Sequence, residues 1–206
     1  MPFIATGKYL PNRLVFHFLE ALQGLIGRAA VEGAWRISDR PDGVLPPASD
    51  DLAKSVDFSR FSMLCDSVFA VYGKDAARSV LYRCGRSAFD QVLQTTAAVV
   101  GLEGRRLHAS PGSDRIAEGL SSAIRLLNTL SDMECSMAAE RHVIRFHCAA
   151  CPECIGRSHE GGICFGTAGI FRGVLDWFGV HPELPVTETA CGTPGCSFSV
   201  SMNVRG

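Results

Sequence analysis

The chain has no surplus of either charge: 20 basic residues stand against 21 acidic ones over 206 positions. Without a basic field nothing gathers a phosphate backbone or an anionic membrane surface, and no basic cluster with interleaved aromatics compensates, so no nucleic-acid partner is expected. Long apolar runs are missing too. The apolar N-terminal stretch is interrupted by His17, Glu20 and Arg28, so no segment is expected to span a bilayer. The opening Met-Pro-Phe-Ile-Ala-Thr-Gly-Lys lacks the charged start and apolar centre of a secretion signal, which makes a cytoplasmic location the expectation. No Gly-x-Gly-x-x-Gly follows a strand-like run and no flavin motif is visible, so neither a nicotinamide nor a flavin cofactor is expected. Internal repeats and low-complexity tracts are also absent, and the length suits a single domain over 1–206.

Cysteine, by contrast, is abundant. Nine of them in a mid-sized chain of this expected location point to metal or redox chemistry rather than to a disulfide framework. Cys164 opens an apolar helical stretch, Glu188 and Cys191 close a β-like run, and Cys196 begins another after a Gly-Thr-Pro-Gly turn. These spacings can close one tetrahedral site. Zinc takes thiolate and carboxylate ligands in fours, and four protein ligands leave no place for water or substrate, so such a site is structural. Buried thiols acting as small hydrophobes, or a disulfide among them, are the competing readings. Cys148, Cys151 and Cys154 form C-x-x-C-x-x-C, which begins like an iron–sulfur run, but Ser158 stands where a fourth cysteine would fall. Cys151 and Cys154 alone are a candidate redox dithiol or part of a second metal site.

Periodicity predicts the elements. Val15, Phe18, Leu19, Leu22, Leu25, Ile26 and Ala29 recur at helical spacing over residues 12–30, with enough apolar surface outside the stripe to predict a homodimer. Residues 35–57, rich in Pro, Asp and Gly, read as a long loop. Helices are predicted over 58–72, over 74–93 after Gly73, and from 113 onwards, making 12–131 the mainly helical part. The period then changes to two, predicting a hairpin over 133–148, a helix over 163–178, and a second hairpin from strands 186–191 and 196–204. The expected class is α+β, helices covering one face of an antiparallel sheet. Phe61, Phe69, Tyr72, Phe171 and Trp177 are candidates to line a cavity for a flat apolar ligand, and His17 and His147 are candidate axial ligands should that ligand carry a chlorophyll-type magnesium, with a surface or hydrogen-bonded histidine as the competing reading of each.

The strings Gly73-Lys74-Asp75-Ala76-Ala77-Arg78, Cys151-Pro152-Glu153-Cys154, Gly162-Ile163-Cys164 and Glu188-Thr189-Ala190-Cys191 with Cys196-Ser197-Phe198 resemble the 4-vinyl reductase domain family. That fold is shared with TRAPP vesicle-tethering subunits and bacterial aromatic-hydrocarbon sensors. The resemblance covers about 70–204. It implies zinc on Cys164, Glu188, Cys191 and Cys196, with a shorter final gap than in the sensors, an apolar pocket between helices and sheet, and dimerisation. A stand-alone chain of this size further resembles the bacteriochlorophyll-pathway members of the family. That implies a divinyl protochlorophyllide-type tetrapyrrole as ligand, pigment-pathway enzymes as partners, and a role as carrier or in vinyl-group reduction. Turnover stays open, because no electron-donor motif is visible. The alternative is a cytosolic sensor that binds an aromatic or lipid-like ligand and acts through a protein partner.

Overall fold

The structure, a computed structural model, describes residues 5–37, 49–96, 113–140, 142–155, 162–179, 185–192 and 195–201, without the side chains of 37 and 113–119. In chain order the elements are β1 (Tyr9–Pro11), α1 (Asn12–Ile26), α2 (Arg28–Ile37), β2 (Lys54–Asp57), α3 (Phe58–Thr96), α4 (Ser113–Leu130), β3 (Cys135–Glu140), β4 (Val143–Cys148), α5 (Phe165–Trp177), β5 (Thr187–Ala190) and β6 (Cys196–Ser201).

Alternation builds the main sheet. Its order is β3-β4-β6-β5 and every pairing is antiparallel, with Phe146 opposite Phe198 and Cys148 opposite Cys196. Ile144, Phe146, Cys148, Cys196, Phe198 and Val200 are buried on one face, while Arg145, Ser197 and Ser199 point the other way. Helix α5 lies on the buried face. The Phe171 ring stacks on Phe146 at 4.5 Å between centroids and meets Phe198 edge-on at 5.1 Å. The opposite side of α5 is covered by α3, where Gly169 and Gly173 of α5 approach the backbone of Tyr82 and Arg86. A helix enclosed on both sides must be apolar all round, and Gly166 to Leu175 are all buried. Helix α1 closes the stack against the first half of α3, with Phe18 edge-on to Phe61 at 4.9 Å. The fold is α+β.

Gly73 interrupts α3 as its sequence position foretold, at φ 73 and ψ 171, a conformation that side chains with a Cβ avoid. Two expectations change. The helix over 12–30 ends at Ile26, because Gly27 takes φ 85, and the chain resumes as α2 at a bend of 107°. The stretch read as a loop over 35–57 begins within α2 and ends in β2, which pairs with β1 to bring Asp57 opposite Tyr9; residues 38–48 lie outside the described ones. Among the described residues, no single helix is long and apolar enough to cross a membrane.

Asp57 explains where α3 begins. Its carboxylate accepts hydrogen bonds from Ser59 N at 2.8 Å, Ser59 Oγ at 2.7 Å, Thr6 N at 2.9 Å and Gly7 N at 3.2 Å, so one side chain caps the helix and ties down the chain before β1. Burial pushes its pKa up, but the bonds from Ser59 and Thr6 outweigh burial and hold it below 3.8. A group depressed in the folded state stabilises fully above its unfolded pKa and loses that contribution as pH falls through the folded one. Asp57→Ala is therefore expected to cost about 1–2 kcal/mol at neutral pH. In urea melts from pH 7 to pH 2 the gap to the parent should close only below 3.8; a gap independent of pH would contradict this assignment.

Candidate metal and ligand sites

Several segments converge on one cluster of sulfurs. The turn after β4 carries Cys151 and Cys154, Cys164 immediately precedes α5, Cys191 follows β5, and Cys196 opens β6. Glu153 holds the turn in place. Its Oε1 accepts from Gly166 N at 2.9 Å and its Oε2 from Thr167 N at 2.6 Å, while Ser62 Oγ donates to the Glu153 carbonyl at 2.8 Å. Two amides left over at the start of α5 are satisfied in this way. Burial, then the neighbouring Cys151, push the Glu153 carboxyl up to about 8 against the pull of those amides.

The sulfurs come close. Cys154 Sγ is 2.9 Å from Cys196 Sγ, which is 3.3 Å from Cys164 Sγ, and Cys164 Sγ is 3.8 Å from Cys191 Sγ. Two overlapping sets have all their ligand atoms within 4.8 Å of one another: Cys151, Cys154, Cys164 and Cys196, and Cys164, Glu188, Cys191 and Cys196. Two sulfurs bound to one ion at about 2.3 Å sit about 3.8 Å apart in a regular tetrahedron, so the Cys164–Cys191 spacing is of coordinating size while the Cys164–Cys196 and Cys154–Cys196 spacings are tighter. Glu188 Oε2 accepts from Cys164 N at 3.0 Å, and Glu188 Oε1 is buried with no hydrogen-bond partner. Gly162 makes room for that carboxylate, since a Cβ there would lie 2.2 Å from Oε2. Hydrogen bonds shared with Cys151, Cys154, Cys191 and Cys196 drive the Cys164 thiol far up. Burial raises Cys151 as well, but hydrogen bonds from Cys148, Cys154, Cys164 and Cys196 outweigh burial and pull it down. Several thiolates cannot coexist here without a cation among them.

The four residues read as one metal set thus stand together, and Cys151 and Cys154, read as a separate dithiol, join them. Cys148 does not: its Sγ lies 3.3 Å from Met133 O and 3.2 Å from Ala150 O. The C-x-x-C-x-x-C run is split between sheet and cluster, and Ser158 lies outside the described residues. The five aromatic candidates do not meet around one space. Phe61 packs on Phe18, Phe171 between Phe146 and Phe198, and Phe69 lies 5.9 Å from Phe165; Trp177 is buried at the end of α5 and Tyr72 is exposed. His17 Nδ1 lies 3.0 Å from Glu20 Oε2, and His147 Nδ1 lies 3.2 Å from Ser197 Oγ.

Beside the cluster runs a groove of about 520 Å³ between α3 and β5, lined by Lys74, Arg78, Tyr82, Arg83, Phe165 and Val186 among others, with Glu188 and Gly162 at its border with the sulfurs. Lys74, Arg78 and Tyr82 follow each other at i, i+4 and i+8, so one face of α3 presents the cations. The Arg78 guanidinium sits 5.7 Å from the centroid of the Phe165 ring. Burial chiefly raises the Tyr82 phenol, while the Val186 backbone hydrogen-bonds it. Helical periodicity sets Arg78 on the polar side of its helix and gives no reason to single out Lys74 or Arg83; only the register of α3 against β5 turns them into one wall.

No protein-family profile matches the chain, and no curated protein does. Solved structures match in fold. An H-NOX protein from S. oneidensis in the Fe(II)NO ligation state aligns with a TM-score of 0.59 at 13% identity, covering 93% of this chain and 98% of that one. An oxygen-binding H-NOX domain related to soluble guanylate cyclases, in its oxygen complex, aligns at 0.55 and 14% identity over 93% of each chain. An H-NOX structure from a study of heme distortion aligns at 0.53 and 11% identity, again over 93% of each.

These matches correct several expectations. The chain shares its fold, over nearly all its length, with H-NOX domains, and the resemblance to the 4-vinyl reductase domain is not sustained. With it falls the role in bacteriochlorophyll biosynthesis and photosynthesis, together with the protochlorophyllide-type ligand. A structural zinc as resident cofactor is not sustained either. The solved structures of like fold are described by iron and heme, and two of the four residues assigned to that zinc, Cys164 and Cys196, stand equally close to Cys151 and Cys154 in a second set.

Proposed function

We propose that the chain is the ligand-binding domain of a sensor, which takes an anionic molecule with an aromatic or lipid-like body in the groove between α3 and β5 and acts through a protein partner. One observation carries this reading: Lys74, Arg78 and Arg83 face a floor of Phe165, Ala168 and Val186 in a single space of about 520 Å³. That volume is ordinary for a small-molecule site, and a few convergent charges over an apolar floor select a ligand with one anionic end. Arg78 supplies a planar fork for a carboxylate while its opposite side rests on Phe165, so part of the ordering cost is met before binding. The sensor reading also agrees with the small molecules held by the proteins of like fold.

Heme does not fit the described part of this groove. None of its described lining residues is a histidine, cysteine or methionine, and the oxygen of Tyr82 is already engaged by the Val186 backbone. An iron porphyrin needs an axial ligand from such residues. The ligand proposed for this groove is therefore an organic anion rather than heme.

Binding of decanoate and of 2-naphthoate, followed by calorimetry, tests this. Both should bind the parent chain, while Arg78→Glu should weaken them at least about tenfold, or about 1.4 kcal/mol. Decylamine should bind neither protein well. Equal affinity of the amine and the acid, or indifference to Arg78→Glu, would remove the basis for the reading.

A further inference from the structure

Two sets of four ligand atoms that share two members describe a recognisable object. When two tetrahedral ions have two ligands in common, the tetrahedra share an edge, and the two shared ligands bridge the ions. Here the shared members are Cys164 and Cys196, whose sulfurs stand 3.3 Å apart; of the edges that belong to one set alone, Cys164–Cys191 measures 3.8 Å and Cys154–Cys196 2.9 Å. With sulfur–metal bonds of about 2.3 Å, a shared edge of that length leaves the two ions about 3.2 Å apart, an ordinary separation for a thiolate-bridged pair.

We propose that Cys151, Cys154, Cys164, Glu188, Cys191 and Cys196 form one centre for two thiophilic divalent cations, bridged by the Cys164 and Cys196 thiolates. The first ion takes Cys151 and Cys154 with the two bridges, and the second takes Glu188 and Cys191 with the same two. Three further observations fit. The buried Glu188 Oε1 has no hydrogen-bond partner while Oε2 accepts from Cys164 N, so one oxygen is left for an ion. The cluster lies at the start of α5, whose positive end favours the excess negative charge that five thiolates and one carboxylate keep over two divalent ions. Soft sulfur ligands select soft cations over magnesium or calcium. The proposal is independent of the ligand in the groove, although Glu188 belongs to both sites and makes the centre one end of the groove wall.

Cobalt(II) is the probe. The reduced full-length chain, stripped of metal, is titrated anaerobically while the sulfur-to-cobalt charge-transfer band is followed. The band should grow to a break at two equivalents, and native mass spectrometry should show two bound ions. Between the first and second equivalents the magnetic moment per cobalt should fall, because bridging thiolates couple the two spins. The double variant Cys151→Ser, Cys154→Ser should break at one equivalent and keep an uncoupled moment. If that variant fails to fold, the parent's stoichiometry and moment still decide. A break at one equivalent in the parent, two ions with uncoupled moments, or a Cys154–Cys196 disulfide in place of metal binding would each overturn the proposal.

Discussion

Replacing Gly85 with alanine should destabilise the protein by about 3 kcal/mol or more, enough to remove much of the stability of an ordinary domain. A Cβ at this position would lie 1.9 Å from the Gly166 carbonyl oxygen and 2.8 Å from its carbon. Those atoms are backbone at the first turn of a buried helix, so no side chain can swing aside; α3 and α5 must separate. The same approach recurs along the helix pair, where a Cβ on Gly169 would stand 2.1 Å from the Tyr82 carbonyl oxygen and one on Gly173 2.9 Å from that of Arg86. Gly169→Ala should therefore resemble Gly85→Ala. Gly24, inside α1 with nothing within 4 Å of its Cβ, is the internal comparison. There alanine should stabilise by about 0.5–1 kcal/mol, because only helix propensity changes. Urea midpoints for the three variants test the packing, and a Gly85→Ala protein as stable as its parent would mean that the two helices are not in backbone contact.

That helix pair also marks what could be read from the residues and what could not. The strands β4 and β6 were legible because one face is packed and the other wet, which forces alternation. The break at Gly73 was legible because a glycine stood between two helical periods. Gly27 was not, since it falls inside an apolar pattern that continues through Ala29, and only its φ of 85 separates α1 from α2. β2 is hidden because four residues, Lys54 to Asp57, cannot show a period; its partner β1 lies far away in sequence. The glycines of α5 carry no signal of their own, because a small residue announces close approach only once its neighbour is known. In the thiol cluster, the composition and spacing of Cys164, Glu188, Cys191 and Cys196 pick out four members, and the structure gathers them. Cys151 and Cys154 stand out by spacing but as a separate pair, because what brings them in is a long-range bond: the Glu153 carboxylate on the amides of Gly166 and Thr167. The family resemblance rests on the order of short strings, which the fold comparison outweighs.

Removing the carboxylate of Asp176 should cost about 1.5–3 kcal/mol, the worth of hydrogen bonds to a charged group, since the buried Arg172 guanidinium loses one partner while keeping others. Arg172 is only 1% exposed, in the middle of α5, and reaches Asp176 Oδ1 with Nε at 2.9 Å and with an Nη at 2.8 Å. The other oxygen of Asp176 accepts from Arg86 Nε at 2.5 Å, so the carboxylate also ties α5 to α3. The two arginines are in unlike positions. Arg86 is exposed and returns to water when Asp176 is lost, whereas Arg172 stays enclosed. Asp176→Ala should therefore be far worse than Arg86→Ala, whose ion pair is surface-exposed and worth about 1 kcal/mol at most. Arg172→Met, which removes the buried charge itself and leaves the Arg86–Asp176 pair in place, should be milder than Asp176→Ala although both delete the Arg172–Asp176 bonds. In the double variant Arg172→Met, Asp176→Ala, most of the loss should be recovered, because the destabilisation comes from a buried guanidinium without its carboxylate rather than from the absence of a bond. Equilibrium unfolding of the four proteins closes this cycle. Losses that simply add, or an Asp176→Ala protein within about 1 kcal/mol of its parent, would show that the remaining contacts of Arg172 are enough to hold its charge without the carboxylate.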